Sequence, residues 1–144
     1  MNFGTMVRKP LVVVGTIVAA LPLVAPIAFT VMRLASGGSL LFDYLMPAEL
    51  FPLAIAGGLM ILVASLLSKR RRCLAIGSLS AAAAFFLGIT VGAELTGLAS
   101  GLHPAEGWRL ALVSVFLVLF IAAEIAIAAC GILLFRDLFR KRAA

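Results

Sequence analysis

Four long apolar runs, separated by short polar stretches, dominate the pattern of hydrophobic and polar positions. They lie at about residues 11–32, 50–68, 73–98 and 108–135. Each is long enough to cross a hydrocarbon core of ~30 Å, which takes about 20 helical residues. Because lipid offers the backbone no hydrogen-bond partner, the spans must be helices or a closed barrel, and barrel strands would alternate polar and apolar residues. The pattern therefore predicts an all-α membrane protein with four transmembrane helices.

Composition supports a membrane protein over a soluble one. Hydrophobic residues make up 64% of the 144 residues, and charged residues only 12%. Soluble domains hold roughly 25% charged residues, and a chain of ~150 residues buries only about 70% of its surface. A water-soluble fold would therefore expose large apolar patches. We predict a single transmembrane domain over residues 1–144.

Three clusters of basic residues set the predicted orientation. Arg8 and Lys9 precede the first span, residues 69–72 join the second and third, and residues 136–142 follow the fourth. These clusters hold ten of the twelve Lys and Arg residues. Four spans place all three clusters on one side, which the positive-inside rule identifies as the cytoplasm. We predict a multi-pass protein of the cell inner membrane with both termini cytoplasmic (N-in/C-in).

The net charge of +6 also bears on the partners of the chain. Basic residues beside membrane spans favour anionic lipid headgroups at the cytoplasmic face. No basic face of a folded soluble part is expected, so no nucleic-acid partner is predicted. A homodimer and a larger membrane complex both stay open.

The two halves of the chain resemble each other at the ends of their predicted spans. Residues 34–37 and 98–101 both read Leu-Ala-Ser-Gly, and residues 47–49 and 104–106 both read Pro-Ala-Glu. This echo predicts two helical hairpins, as in transporters built from parallel repeats. Glycine after a helix and proline with an acid at its start are also ordinary helix-end signals. Duplication and convergence therefore both stay open.

The first loop on the outer side, residues 39–49, is too apolar for a freely solvated connection. We call it the outer segment and expect it to lie in the membrane interface. Its candidate interface residues are Phe42, Asp43, Tyr44 and Glu49. The segment is either a docking surface or lid, or an amphipathic belt that stiffens the hairpin.

Small residues predict close helix packing. At 100° per residue, a row in the third span falls on one helix face, and small residues let membrane helices approach closely. The row comprises Gly77, Ala81, Ala84, Gly88, Gly92 and Thr96, which fall within about 120° of one another. A weaker counterpart in the second span consists of Ala54 and Gly58. The row packs either within the four-helix bundle or against another subunit.

Two prolines lie one turn apart in the first span. Pro22 and Pro26 each remove a backbone hydrogen bond and are expected to kink the helix. They leave the carbonyls of Val18 and Pro22 without their usual donors. The kink is either structural or a hinge for gating.

Glu124 is the leading candidate for function. It lies near the middle of the fourth span, about 16 Å of helix rise from Phe135. An ionised carboxylate at that depth is costly by a few kcal/mol or more, so we expect a neutral acid unless water or another subunit reaches it. The side chain either binds a proton or substrate, or donates a structural hydrogen bond. Its expected partners are the Val18 carbonyl, Thr16, Ser65 and Ser80.

Glu94 is the second acid within the predicted spans. It is expected to lie close enough to the headgroups to reach water, which favours a local structural role. Its depth differs from that of Glu124 by roughly 15 Å if both helices stand upright. The two acids are therefore not expected to form a catalytic pair, although they could be two stations of a proton path.

No motif for catalysis, cofactor binding or metal binding is present. Cys73 and Cys130 fall toward the cytoplasmic ends, where disulfides are disfavoured. His103 is the single histidine and lies in an outer loop. We therefore predict no catalytic residues, no metal and no cofactor.

The sequence favours a non-enzymatic accessory or scaffolding subunit that acts through helix packing and the outer segment. The alternative is a small proton-coupled carrier that uses Glu124, with a homodimer completing its path. A continuous polar cavity reaching Glu124 would distinguish them, because a carrier needs one and a scaffold does not.

Overall fold

Four helices make up the part of the chain that the structure describes. The computed structural model describes residues 3–37, 50–100 and 107–140, with side chains from residue 7 onward. The helices are α1 (Phe3–Ala35), α2 (Phe51–Ser68), α3 (Arg72–Leu95) and α4 (Gly107–Phe139), and these ranges contain no strand. Each is long and apolar enough to cross a membrane. The predicted all-helical class with four spanning helices is confirmed. The pairing into hairpins and the side of the termini stay predictions, and the outer segment lies outside the described residues.

The helix ends differ from the predicted span ends. α1 and α4 have 33 residues each, which corresponds to about 50 Å at 1.5 Å per residue. α3 ends at Leu95 rather than near residue 98. There the Thr96 hydroxyl donates to the Gly92 carbonyl at 2.6 Å, and Gly97 adopts a left-handed φ of 72°. Glycine tolerates this conformation, so the helix stops and a turn begins.

A hydrogen-bonded turn connects α2 to α3. Lys69 and Arg71 have left-handed φ values of 57° and 52°, which are unfavourable for residues other than glycine. The Arg70 N–H donates to the Ser65 carbonyl at 3.2 Å, and the buried Ser65 hydroxyl donates back to the Arg70 carbonyl. These bonds stabilise the strained turn and anchor it to the helix bundle.

The helices pack around a core of small and aromatic side chains. α1 and α3 each contact α2 and α4, and α2 also contacts α4. Phe51, Phe86 and Phe120 form an aromatic cluster, with ring centroids 4.9 Å apart for Phe51–Phe120 and 5.5 Å for Phe51–Phe86. Most large side chains on the outer surface are apolar. This surface suits lipid rather than water.

The start of α1, the α2–α3 turn and the end of α4 come together at one end of the bundle. Among the described residues this end carries Lys9, Arg71 and Arg136, and we call it the basic end. Val12, Ala64 and Leu134 form a buried cluster nearby. Arg71 and Asp137 join α4 to the α2–α3 turn through an ion pair of 2.8 Å between Nε and Oδ2. The hydrogen bond to Asp137 raises the pKa of Arg71 above its usual range. The basic end is therefore held together by both apolar contacts and charge.

Candidate functional site

Glu124 is buried in the core and makes no hydrogen bond within the described part of the chain. Its residue is only 3% exposed, and it lies on the buried face of α4 with Phe120, Ala123 and Ile127. Its Oε1 atom is shielded from solvent and has no hydrogen-bond partner. A buried polar atom without a partner is rare in folded proteins and calls for an explanation.

The partners that the sequence predicted for Glu124 are engaged elsewhere or face outward. The Thr16 hydroxyl donates to the Val12 carbonyl at 2.7 Å, and the Ser65 hydroxyl donates to Arg70. Ser80 is exposed on α3. No hydrogen bond joins Glu124 to the Val18 carbonyl among the described residues. The carboxyl therefore lacks the structural partner that a purely stabilising role would need.

A cavity of about 280 Å³ contains Glu124 in its wall. Its lining comes from α1, from α4, and from Leu50 and Phe51 at the start of α2. Within the part of the chain that the structure describes, every lining residue except Glu124 is a leucine, isoleucine, phenylalanine or proline. The cavity thus reaches the acid that the sequence singled out, but its polar character is confined to that one side chain.

Both helix-interior prolines of the predicted kink line this cavity. Pro22 and Pro26 lie within α1, which continues as a helix through both of them. Pro26 has no N–H to donate to the Pro22 carbonyl. The Thr30 hydroxyl donates to the Pro26 carbonyl at 2.7 Å, one turn further along. The proline-containing stretch of α1 and the unpartnered acid of α4 therefore face the same space.

Part of the cavity wall is also part of the outer surface of the bundle. Ile27 is 66% exposed, Ile121 39% and Ile125 55%. The first belongs to α1 and the other two to α4. Because the rim residues are apolar and exposed, the cavity opens sideways between α1 and α4, toward the surroundings of the bundle.

Glu94 is remote from this cavity. It lies on the exposed side of α3 near the end of the helix, and its backbone carbonyl accepts the Gly97 N–H at 3.1 Å. No residue of α3 lines the cavity. The structure therefore does not bring the two acids into one site.

The predicted small-residue row of α3 is packed at some positions and exposed at others. A Cβ added at Gly88 would lie 2.7 Å from the Phe116 ring, and one at Gly92 would contact Val113 at 3.8 Å. Ala81 packs against the core. Gly77 has no atom within 4 Å of an added Cβ, and Ala84 is exposed. Only part of the row contacts α4.

The small residues of α2 contact three neighbouring helices. Ala54 is buried in the core, and Gly58 faces Leu79 of α3 and Ile127 of α4. Its neighbour Gly57, which the sequence analysis missed, lies against the Ala19 backbone of α1. The four-residue spacing of Gly15 and Ala19 was the available signal for this contact.

Among the described residues, the remaining polar side chains are not grouped into a metal-binding cluster. Cys73 is exposed and Cys130 buried, and both are free thiols. Within the described ranges, no group of three or more His, Cys, Asp and Glu residues is arranged to hold a metal ion. His103 and the outer-segment residues Phe42, Asp43, Tyr44 and Glu49 lie outside those ranges.

Comparison of the chain with known protein families, with curated proteins and with solved structures finds no match. The geometry around Glu124 is therefore the main guide to function.

Proposed function

We propose that this small integral membrane protein is a non-enzymatic carrier that binds its ligand inside the bilayer at Glu124. The observation that carries this proposal is the buried, unpartnered carboxyl in the wall of a cavity. It favours the carrier alternative over a purely structural use of the acid.

A buried acid without a partner is a costly way to fill a helix bundle. Leaving one buried polar group unsatisfied costs about 1–3 kcal/mol, and a charged group costs more. A leucine at this position would avoid the cost. Acids within membrane spans accordingly mark sites for protons, ions or substrates. We take the missing partner of Glu124 to be a bound molecule or a transferred proton.

The apolar lining bears on the type of carrier. A proton or ion path needs polar groups or water along its length, whereas Glu124 is the single polar side chain among the described residues that line this cavity. A proton-coupled carrier was expected to have a continuous polar cavity that reaches Glu124. This cavity reaches Glu124 but does not continue as a polar path. This favours a carrier that accepts a largely apolar molecule from the membrane.

Infrared difference spectroscopy tests whether Glu124 exchanges a proton. The purified protein in lipid nanodiscs is taken from mildly acidic to mildly alkaline pH, and the carboxyl C=O stretch is followed. A carrier should show a titrating band that Glu124→Gln removes and Glu94→Gln retains. A Glu124 band that stays constant with pH and with every added ligand would rule out the carrier.

A second candidate function is the accessory subunit that acts through helix packing. The observation that favours it is an exposed face of α3 made of small residues, namely Cys73, Gly77, Ser80 and Ala84. Their spacing of four, three and four residues places them on one helix face. Such a face permits close approach of another membrane helix, either from a second copy or from a larger complex.

Particle mass in a mild detergent tests this second candidate. Gly77→Leu should reduce the mass of the native particle without unfolding the monomer, because the leucine would separate the two packed backbones. Ala122→Leu, on the exposed side of α4, is the matched control. An unchanged mass for both variants would count against an interface at this face of α3.

A further inference from the structure

We infer that the Glu124 cavity binds a small organic cation with an apolar body, which enters from the bilayer between α1 and α4. This inference rests on the proposed function and deepens it by naming the ligand class. It is carried by the size, lining and opening of the cavity, together with the unpartnered carboxyl.

The size of the cavity limits the ligand to a small molecule. Its volume of about 280 Å³ lies just below the range of roughly 300–1,000 Å³ found for pockets that bind drug-sized molecules. A lipid with two long acyl chains exceeds this space. A compact molecule with one ring or a few short alkyl groups fits.

The lining specifies the charge and polarity of the ligand. Among the described residues of the wall, Glu124 is the single ionisable group and none is basic. An anion would therefore meet no counter-charge, and a polyhydroxylated molecule would leave most of its polar groups unsatisfied. A cation with one charged group meets the carboxylate while its remaining atoms contact leucine, isoleucine and proline. Phe51 adds an aromatic ring in the same wall, and aromatic rings attract cations.

The route of entry follows from the exposed rim. Ile27, Ile121 and Ile125 are shared between the cavity wall and the outer surface. A molecule dissolved in the bilayer meets this apolar rim directly. A cation with an apolar body concentrates in the bilayer, whereas a strongly hydrated ion does not. Entry past this apolar rim therefore also favours an organic cation with an apolar body.

Binding of the cation releases one proton. The empty site holds Glu124 as a neutral carboxylic acid, because an unpaired carboxylate is unfavourable there. When the cation enters, the O–H bond of the acid breaks, the proton leaves to solvent, and the carboxylate and cation form an ion pair. Charge balances as one positive charge enters and one leaves. The cation should therefore bind more tightly as the pH rises.

Other charged and titratable groups on the packed helices lie outside this cavity. On α1 they are Arg8, Lys9 and Arg33, on α3 Arg72, Cys73 and Glu94, and on α4 Arg109, Cys130, Arg136 and Asp137. α2 has none between Phe51 and Ser68. Since none of them lines the cavity, the pH dependence of cation binding is assigned to Glu124.

Calorimetry with two matched probes tests the inference on the full-length protein in nanodiscs. Benzyltrimethylammonium carries a permanent charge, and neopentylbenzene has the same shape without the charge. We expect the cation to bind with release of one proton, measured from the dependence of heat on the ionisation enthalpy of the buffer. Glu124→Gln should weaken cation binding by about tenfold or more, equivalent to about 1.4 kcal/mol per tenfold. Glu94→Gln should bind like the unchanged protein, and neopentylbenzene should not distinguish the variants.

The outcomes separate this inference from the proposed function. Equal cation binding by the unchanged protein and Glu124→Gln would overturn the ligand class, as would binding without proton release. A failure of both probes to bind would show that the cavity is not a binding site for a molecule of this size and shape. Lipid or a second copy of the chain would then be the remaining occupants. A titrating infrared band of Glu124 in the same sample would then preserve the carrier while rejecting the organic cation. The pH and proton-release measurements need no variant, so a poorly folded Glu124→Gln protein would not prevent the decision.

Discussion

At the residue scale, the burial of Glu124 is expected to lower the stability of the fold. The carboxyl is buried among Phe120, Ala123 and Ile127, and its Oε1 atom has no partner. A buried polar group with a structural role normally has a hydrogen-bond partner in the folded protein. The described residues provide no such partner for Oε1 to offset the cost of burying the carboxyl. Removing the acid should therefore increase the stability of the protein.

Glu124→Leu should therefore stabilise the protein. Replacing an unsatisfied buried polar group by an apolar one removes a penalty of about 1–3 kcal/mol, while leucine fits a site lined by leucine and isoleucine. The measurement is the free energy of unfolding during titration of mixed micelles with a denaturing detergent. Ile127→Ala, which creates a cavity in the same core, should instead destabilise by about 2–5 kcal/mol.

A loss of stability in Glu124→Leu would contradict this expectation. It would mean that the carboxyl donates a hydrogen bond that matters in the folded protein. Ligand binding by the leucine variant should be lost in either case, so stability and binding are measured on the same sample.

The sequence singled out Glu124 as a candidate but did not predict its surroundings. The depth of the acid in an apolar run follows directly from counting residues. Its partners do not, because a hydroxyl on a membrane helix has an alternative acceptor four residues earlier on its own helix. Thr16 makes such a bond to the Val12 carbonyl. Helical periodicity does not tell whether the hydroxyl bonds to this carbonyl or to Glu124.

At the element scale, glycine contacts hold the helices together. Gly57 of α2 meets the Ala19 backbone of α1, Gly88 of α3 meets Phe116 of α4, and Gly131 of α4 meets Thr16 of α1. In lipid there is no hydrophobic drive between helices, so close van der Waals packing of this type replaces it.

Gly57→Leu should destabilise the bundle, whereas Gly77→Leu should leave the monomer intact. A Cβ at Gly57 would lie 2.8 Å from the Ala19 Cα, and one at Gly77 meets nothing within 4 Å. Overpacking against a backbone costs about 1–3 kcal/mol, and occasionally more. Thermal unfolding in detergent, followed by circular dichroism, measures both variants. Equal melting temperatures would show that α1 and α2 do not pack through Gly57.

The row of small residues in α3 shows what periodicity resolves and what it leaves open. One face about 120° wide was predicted, and Gly88 and Gly92 lie against α4 while Gly77 and Ala84 face outward. The helix period fixes the direction of a side chain to within such a sector. It does not state where along the helix a neighbouring helix makes contact, and that depends on the crossing of helices distant in sequence.

At the scale of the whole molecule, contacts of charged side chains join three segments of the chain at the basic end. Lys9 places its ammonium 4.4 Å from the centre of the Phe139 ring, and Arg71 pairs with Asp137. These contacts bring together the start of α1, the α2–α3 turn and the end of α4. The sequence predicted that the basic clusters share one side, because four crossings return the chain to the same side. It gave no sign that Asp137 would pair with Arg71, since the two lie on elements distant in sequence.

Labelling of introduced cysteines in intact cells should place the basic end inside. In a Cys73→Ser background, where the remaining Cys130 is buried, Ser39→Cys and His103→Cys should react with a membrane-impermeant maleimide. One span precedes residue 39 and three precede residue 103, and an odd number of crossings puts both loops opposite the basic clusters. Lys69→Cys and Ala144→Cys should react after the membrane is opened. Reaction of Lys69→Cys in intact cells would reverse the predicted orientation.

The shortness of α2 has a consequence for the lipid around the molecule. Its 18 residues rise only about 27 Å, somewhat less than an average hydrocarbon thickness of ~30 Å, whereas α1 and α4 exceed that thickness. A helix too short for its bilayer creates hydrophobic mismatch, which is relieved when nearby acyl chains thin or when shorter ones gather there. We therefore expect lipids with short acyl chains to be enriched beside α2, while the longer helices α1 and α4 adapt to the same bilayer by tilting. The lipid preference of the molecule should thus differ between the face of the bundle formed by α2 and the faces formed by its longer helices.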